Sequence, residues 1–195
     1  MHFLSTNISP GSLVDLYQFP PMPTDGNLHR YTDPLGCLWV AKAGTYSQWM
    51  RATDVLHGRW GLSGAYNIIN SANQKVPLDY VFLDVFDLYN GVTDILTLPF
   101  AGSYHFYGQV GMTPTATGQY CNVMIRQNGT RVIQNQAWSG GTGAGINPQV
   151  NATLVVGDGD TFYLETYTLS GASFVAQNSP YITFMGFDYL GSLGY

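Results

Sequence analysis

The sequence predicts an all-β protein, and three observations support this fold class. Residues that favour helices are scarce, since the 195-residue chain contains two lysines and one glutamate. Aromatic residues make up 14% of the chain and glycine occurs 23 times, a mixture typical of strands joined by tight turns. In the C-terminal half, apolar and polar residues alternate in short segments bounded by turn signals, which is the pattern of a sandwich or barrel.

The charge content excludes several classes of partner. Charged residues make up 10% of the chain, and the net charge is −5. The seven basic residues are scattered along the sequence, whereas a polyanion requires clustered contacts, so we expect no nucleic-acid partner. We also expect no membrane partner and no secretory signal, because no apolar run approaches about 18 residues and the first residues lack a basic and an apolar segment. Few charges and many aromatics favour an assembly protein with large permanent interfaces.

Residues 1–35 are predicted to form an extended docking arm. Five prolines fall in this range, and Pro20-Pro21-Met22-Pro23 favours an extended path. The apolar residues of the arm are too few for a core of their own, and we expect them to dock on a partner chain; packing back onto the arm's own domain is the alternative. These docking residues are Leu13, Leu16, Tyr17, Phe19 and Met22.

Residues 36–76 are predicted to form a small β block followed by a connector. Within residues 36–53 we expect a hairpin with a Gly44-Thr45 turn and a second strand that ends in Trp49. Trp39 and Trp49 are interpreted as the core of this block, with a sugar-stacking site as the alternative. The block resembles short β modules of phage fibre and head proteins. Residues 54–76 are predicted to be a glycine-rich connector with one short strand within residues 67–70.

From residue 77 onward the sequence predicts about eight strands. Alternation or β-rich composition marks residues 80–87, 102–110, 121–126, 132–133, 150–156, 161–167 and 181–190. Asn128-Gly129 is a strong hairpin turn, and residues 157–160 form a second turn.

Four elements of this region, in order, resemble the C1q/tumour-necrosis-factor superfamily of trimeric jelly rolls. They are Pro99–Phe106, similar to the family's Pro-x-x-Gly-x-Tyr-x-Phe strand; the Asn128-Gly129 turn; Leu154–Asp158, similar to Leu-x-x-Gly-Asp; and Phe184–Leu190, similar to Phe-x-Gly-Phe. The resemblance covers residues 77–191 and implies a jelly-roll sandwich over residues 77–195. Either Gly-Asp pair of Gly157-Asp158-Gly159-Asp160 matches the motif, so the register of the next strand stays open by two residues.

The resemblance also implies which residues face the core and which face a symmetry axis. It places Tyr104 and Phe106 in the sandwich, and the alternating Cys121, Val123 and Ile125, with Phe187, belong to the same predicted core. It places His105, Tyr107 and Phe184 at a three-fold axis. Strand alternation agrees with this placement, because a sandwich buries only one face of each sheet. The aromatic residues on the other face then need a partner chain to cover them. Tyrosines exposed on a monomer are the alternative.

A search for catalytic and ligand motifs finds none, so we expect no enzyme, no cofactor and no metal site. His105 is interpreted as an interface residue rather than a base. Asp158 and Asp160 fit a tight turn, with Ca²⁺ binding as the alternative, and the Ser139–Gly145 segment fits a surface loop rather than a phosphate loop. Cys37 and Cys121 have no metal-ligand spacing and are expected to be reduced and buried.

These inferences favour a non-enzymatic, homotrimeric virion protein, assembled in the host cytoplasm and placed on the virion surface. A bacteriophage capsid decoration or head protrusion protein, bound chiefly to the major capsid protein, is the leading hypothesis. The alternative is the receptor-binding tip of a tail or head fibre, with host-attachment loops at Thr113–Tyr120, Trp138–Asn147 and Ser170–Ser179. A third hypothesis is a secreted C1q-like ligand or lectin.

Overall fold

The chain folds as two units, Met1–Ala52 and Thr53–Tyr195. The computed structural model describes residues 19–45, 47–69, 71–113, 117–141, 145–169, 174–176 and 179–192. Apart from one helical turn, α1 (Ala52–Val55), the regular elements of these residues are β-strands, which confirms the predicted all-β class. Among the described residues, no helix has the length and apolar character needed to cross a bilayer.

The first unit is a small antiparallel sheet. It contains β1 (Leu28–Thr32), β2 (Leu38–Lys42) and β3 (Met50–Arg51), in that order across the sheet. The structure has the β2–β3 hairpin, but its second strand begins after Trp49 instead of ending there. Residues 28–32, placed in the arm by the sequence, instead form an edge strand, because Tyr31 pairs opposite Trp39 and shares its apolar face.

Four half-buried aromatic rings pack together in this unit, and the fully buried apolar residues of its described part are Val40, Ala41 and Ala52. The Phe19 ring lies 4.8 Å from Trp39 and 5.8 Å from Tyr31 (centroid distances), and it stacks on Trp49 at 6.4 Å. Phe19, predicted to dock on a partner chain, therefore packs within its own unit. Of the other arm residues, Met22 is half-buried, and Leu13, Leu16 and Tyr17 lie outside the described residues.

The Asp33 carboxylate holds the turn between β1 and β2. It accepts hydrogen bonds of 2.9 Å from the Trp39 indole and from the backbone amides of Leu35 and Cys37. The Trp39 bond, with smaller help from the two amides, lowers the pKa of Asp33 against the effect of its burial. Gly36 completes the turn at φ +81°, a conformation that favours glycine.

The Asp33 turn predicts an acid-sensitive first unit. Because the folded pKa is lowered, the carboxylate stabilises the unit fully above its unfolded pKa of about 3.9, and this contribution disappears as pH falls through the lower folded value. An NMR titration of the Trp39 indole N–H should show part of the acid transition disappearing in Asp33→Asn. Identical acid transitions in the two proteins would contradict this role.

The second unit contains two main sheets and a small third sheet. Its strands are β4 (His57–Gly61), β5 (Tyr66–Ile68), β6 (Asn73–Lys75), β7 (Tyr80–Asp84), β8 (Tyr89–Asn90), β9 (Ile95–Thr97), β10 (Gly102–Gln109), β11 (Met112–Thr113), β12 (Tyr120–Gln127), β13 (Thr130–Trp138), β14 (Gln149–Val156), β15 (Thr161–Leu169), β16 (Phe174–Ala176) and β17 (Phe184–Gly191). The five-stranded main sheet has the order β14-β10-β17-β4-β7, and the other main sheet has the order β13-β12-β15-β9-β8 with β6 paired to β15. The third sheet has the order β11-β16-β5.

The region predicted to be a connector, residues 54–76, instead supplies strands to all three sheets of the second unit. The most important is β4, which pairs with both β17 and β7 near the middle of the five-stranded sheet. The glycines of β4 give it no strand-like sequence pattern, yet Gly58 has a packing role. A Cβ at Gly58 would lie 2.3 Å from the Trp60 ring, so the glycine makes space for that fully buried indole.

The core lies between the inner faces of the two main sheets. Phe106 of β10 stacks on Phe162 of β15 with ring centroids 4.3 Å apart, and Tyr104 contacts Phe187 at 5.7 Å. The side chains that the sequence assigned to the core are all buried, namely Tyr104, Phe106, Cys121, Val123, Ile125 and Phe187.

The two cysteines differ in environment, and both are free thiols. Burial raises the pKa of the Cys121 thiol to about 12, so this sulfur is protonated and unreactive at neutral pH. Cys37 is only half-buried, contrary to the expectation for both cysteines. Its sulfur accepts a hydrogen bond of 3.3 Å from the Arg51 guanidinium.

The turn at residues 157–160 explains the two aspartates that the sequence singled out. The Asp160 carboxylate accepts hydrogen bonds from the side chains of Gln127 and Asn128 and from the amide of Gly157, each 2.7 Å long. Burial opposes its ionisation, but these bonds outweigh burial and lower the pKa of Asp160. Asp158 accepts a hydrogen bond from the amide of Ala101. Strand β15 begins directly after Asp160, which settles the register that the sequence left open.

Candidate functional site: the outer face of the five-stranded sheet

The outer face of the five-stranded sheet is the side that points away from the sandwich core. Alternation along β10 sends Tyr104 and Phe106 inward, so His105 and Tyr107 lie on the outer face. Strand pairing aligns Tyr107 with Gly186 of β17, and Gly186 with Arg59 of β4. The neighbouring row aligns His105, Asp188 and His57 in the same way.

Aromatic rings and one guanidinium form a continuous row across this face, here called the aromatic ladder. His105 and Tyr107 lie 6.1 Å apart, and Tyr107 meets Phe184 edge-on at 6.4 Å. The Arg59 guanidinium continues the row, 4.3 Å from the Phe184 ring and 4.7 Å from Phe82. The far end is formed by the rings that contact Phe82, which are Tyr80 at 4.9 Å and Tyr181 at 5.2 Å.

Gly186 allows the centre of the ladder to lie flat on the sheet. A Cβ at this position would lie 2.5 Å from the Tyr107 ring, closer than real carbon atoms approach. The absence of a side chain at Gly186 therefore lets the Tyr107 ring cover the strand. Burial raises the pKa of the Tyr107 hydroxyl, and the Asp188 carboxylate adds to this effect while Arg59 opposes it.

Arg59 is held in an apolar setting. Its guanidinium lies over two phenyl rings, and cation–π contacts of this kind stabilise a desolvated arginine. Its Nε atom is buried without a hydrogen-bond partner among the described residues. A buried donor without a partner lowers stability, and the contacts of the same guanidinium with two rings offset part of that cost.

Large apolar side chains border the ladder and remain open to solvent in the isolated chain. Tyr181 is 69% exposed at one end, and Val155 and Leu190 are 65% and 52% exposed at the other. Tyr80 and Leu83 of the edge strand β7 are also exposed. Large exposed apolar side chains that surround a row of half-buried rings are typical of an interaction site.

The structure brings the three predicted interface residues together. His105, Tyr107 and Phe184 share the outer face, and each is half-buried in the isolated chain. Sequence reasoning missed Arg59, Phe82 and Tyr181, which complete the ladder. For Arg59 the sequence did offer a signal. His57 and Arg59 alternate with Gly58 and Trp60, which places both side chains on one face of a strand.

The described residues contain no group of three or more histidine, cysteine, aspartate or glutamate side chains placed to hold a metal ion. Glu165 pairs with Arg126, whose Nη2 and Nε lie 2.7 and 3.0 Å from one carboxylate oxygen. His29 in the first unit pairs with Asp25 at 2.8 Å. The predicted receptor loops include residues 114–116, 142–144, 170–173 and 177–178, which lie outside the described residues.

Comparison with solved structures shows the fold of tumour-necrosis-factor and C1q globular domains. The Eiger TNF of S. frugiperda superposes with a TM-score of 0.58 and 13% identity, covering 71% of this chain and 94% of that one. Murine APRIL at pH 5.0 gives a TM-score of 0.53 and 17% identity over 69% of this chain and 98% of its own. The globular domain of zebrafish complement 1qA superposes with a TM-score of 0.50 and 12% identity, covering 70% of this chain and 98% of its own.

No protein-family model matches this chain, and no curated protein matches its sequence. At identities of 12–17% the structural similarity concerns the fold alone. It confirms the predicted C1q/TNF-like jelly-roll sandwich.

Proposed function

We propose that this chain is a non-catalytic structural protein that assembles as a homotrimer through the outer face of its five-stranded sheet. The observation that carries the proposal is the aromatic ladder, from His105 to Tyr181, with its exposed apolar borders. Three copies that each present this face toward a shared axis form a closed ring, so that no copy is left with an open face. The number of copies, three, is what the resemblance of the four sequence elements to the C1q/tumour-necrosis-factor superfamily implies.

The energetic argument rests on aromatic burial. Covering one aromatic side chain contributes on the order of 1.5–3 kcal/mol, and the ladder presents several half-buried rings in each copy. The opposing charge cost is limited to two groups of opposite sign, Arg59, which already stacks on two rings, and the exposed Asp188 carboxylate in the neighbouring row. Rings and an arginine at the centre of a surface poor in charge match the composition of permanent interfaces.

The proposed setting is a virion surface, as a bacteriophage capsid decoration or head protrusion protein bound to the major capsid protein. Two features support it. The chain has 10% charged residues, as expected for a protein covered largely by neighbours. A separate first unit of 52 residues, with its own sheet, provides an element for docking. Its function is then mechanical, because many copies add contacts between neighbouring capsomers.

The copy number on purified particles tests this setting. A decoration protein should be present in hundreds of copies on the scale of the major capsid protein, measured by densitometry of a denaturing gel. Leu35→Glu, which places a charge on an exposed side chain of the first unit, should lower the occupancy, whereas Val92→Glu in the second unit should leave it unchanged. A protein absent from particles, or present in only a few copies, would contradict the decoration role.

Receptor binding at a fibre tip is a second candidate, and one specific observation favours it. Trp138 is 61% exposed beside Tyr120, with the rings 5.0 Å apart. An exposed tryptophan supported by a second ring is a common recognition element. A few copies per particle, located at a fibre end, would favour this role over decoration.

A further inference from the structure

The outer face of the second main sheet carries a groove whose chemistry differs from that of the aromatic ladder. The groove has a volume of about 260 Å³ and is lined by side chains of β12, β13, β15 and β6. Its principal lining residues are Tyr120, Asn122, Arg126, Arg131, Gln134 and Tyr167.

We infer that this groove binds an acidic oligosaccharide. The inference does not depend on the proposed trimer, because it concerns the opposite sheet of the sandwich. It identifies the chemistry that a receptor-binding role would use.

Tyr120 and Tyr167 form the aromatic end of the groove, and Trp138 lies beside that end against Tyr120. Trp138 lies directly opposite Tyr120 in the β12–β13 pairing, and their rings are 5.0 Å apart. Tyr167 meets Tyr120 edge-on at 6.4 Å. The carbon-bound hydrogens of a pyranose make one face of the sugar apolar, and an open ring surface beside polar groups suits that face.

Amides line the middle of the groove. Asn122 is 4% exposed and donates a hydrogen bond of 3.2 Å to the Tyr120 hydroxyl, but its Oδ1 has no partner among the described residues. The exposed amides of Gln134 and Gln136 lie on the same side of β13. A buried acceptor without a donor lowers stability, and a sugar hydroxyl at the groove floor supplies such a donor.

Positive charge forms the other end. Although the chain is acidic overall, three of the four basic residues of the second unit lie on this face, namely Lys75, Arg126 and Arg131. Arg126 is neutralised by Glu165, whereas Arg131 has no ion pair among the described residues. Arg131 also lies opposite Arg126 across the β12–β13 pairing. A ligand carboxylate placed here would pair with Arg131, because the Arg126 charge is already compensated by Glu165.

The separation of the two ends sets the size of the ligand. Tyr120 and Arg126 are six residues apart on one strand, which corresponds to about 20 Å at 3.3 Å per residue. One sugar ring cannot reach both ends, whereas a chain of several sugars can stack on Trp138 and place a carboxylate at Arg131. The ligand class is therefore an oligosaccharide with uronic or sialic acid units.

A printed array of carboxylated and neutral oligosaccharides, probed with the full-length chain, tests the inference. We expect binding to carboxylated members above the neutral ones. Calorimetric titration with the strongest of these should show a loss of about tenfold in affinity for Trp138→Ala and for Arg131→Gln, equivalent to about 1.4 kcal/mol each. Both residues are exposed, so neither change should alter folding.

Two control variants separate this site from general effects. Arg30→Gln removes the same charge from the first unit, and Val92→Ala alters an exposed apolar residue; both should bind like the unaltered chain. Equal binding of neutral and carboxylated members, no binding to any member, or binding that survives both groove variants would overturn the inference. Sedimentation of the same samples reports on the trimer separately, so failure of either proposal can be recognised by itself.

Discussion

A chain that carries Tyr107→Glu and Phe184→Glu is expected to sediment as a monomer of 21.4 kDa. The two substitutions place carboxylates in the middle of the aromatic ladder, next to Asp188 on the same face. In the proposed trimer six added negative charges would meet around one axis without water, and desolvated unpaired charges cost several kcal/mol each. Sedimentation velocity of the double variant at micromolar concentration measures the result.

The matched control carries Val92→Glu and Val132→Glu, which add the same charge at exposed positions away from the ladder. It should retain the oligomeric state of the unaltered chain. Circular dichroism should show the same strand content in both variants, because Tyr107 and Phe184 lie outside the sandwich core. A double ladder variant that keeps its trimeric mass would exclude this face as the interface.

Phe106→Ala is expected to destabilise the second unit by about 3–5 kcal/mol, the usual cost of removing a large buried ring. The Phe106 side chain is fully buried and stacks on Phe162 at 4.3 Å, so its loss removes a contact between the two main sheets. Urea unfolding should show a lower midpoint with an unchanged slope, and the melting temperature should fall by about 10 °C or more.

Val92→Ala serves as the reference for this experiment, because Val92 is almost fully exposed. Its free energy of unfolding should stay within about 0.5 kcal/mol of the unaltered chain. Protein concentration must be equal in all samples, since association stabilises the folded state by mass action. A Phe106→Ala protein as stable as the reference would show that the two sheets do not rely on this stack.

The long strands could be predicted because their patterns are uninterrupted. Apolar residues recur at every second position, as in Tyr104 and Phe106 of β10 and in Cys121, Val123 and Ile125 of β12. The turn residues Asn128 and Gly129 take the positive φ angles that a tight hairpin requires. Strand β4 escaped prediction because two of its five residues are glycines. Its stability comes from pairing with β17 and β7, which are distant in sequence.

The candidate site was predictable only in part, for a related reason. His105 and Tyr107 could be assigned to one face from alternation within a single strand. The contacts of Arg59 with Phe82 and Phe184 join three strands that are far apart in the sequence, and a scattered basic residue gives no sign of such stacking. The groove beside Trp138 could not be predicted from the sequence for the same reason. Its amides, rings and arginines meet only through the pairing of β12 with β13 and β15.

The mass of the intact, unaltered chain in solution tests the central claim most directly. Sedimentation equilibrium at micromolar concentration should give three times 21.4 kDa. A mass of one chain under these conditions, with the rings from His105 to Tyr181 open to solvent, would contradict the assembly proposed for this face.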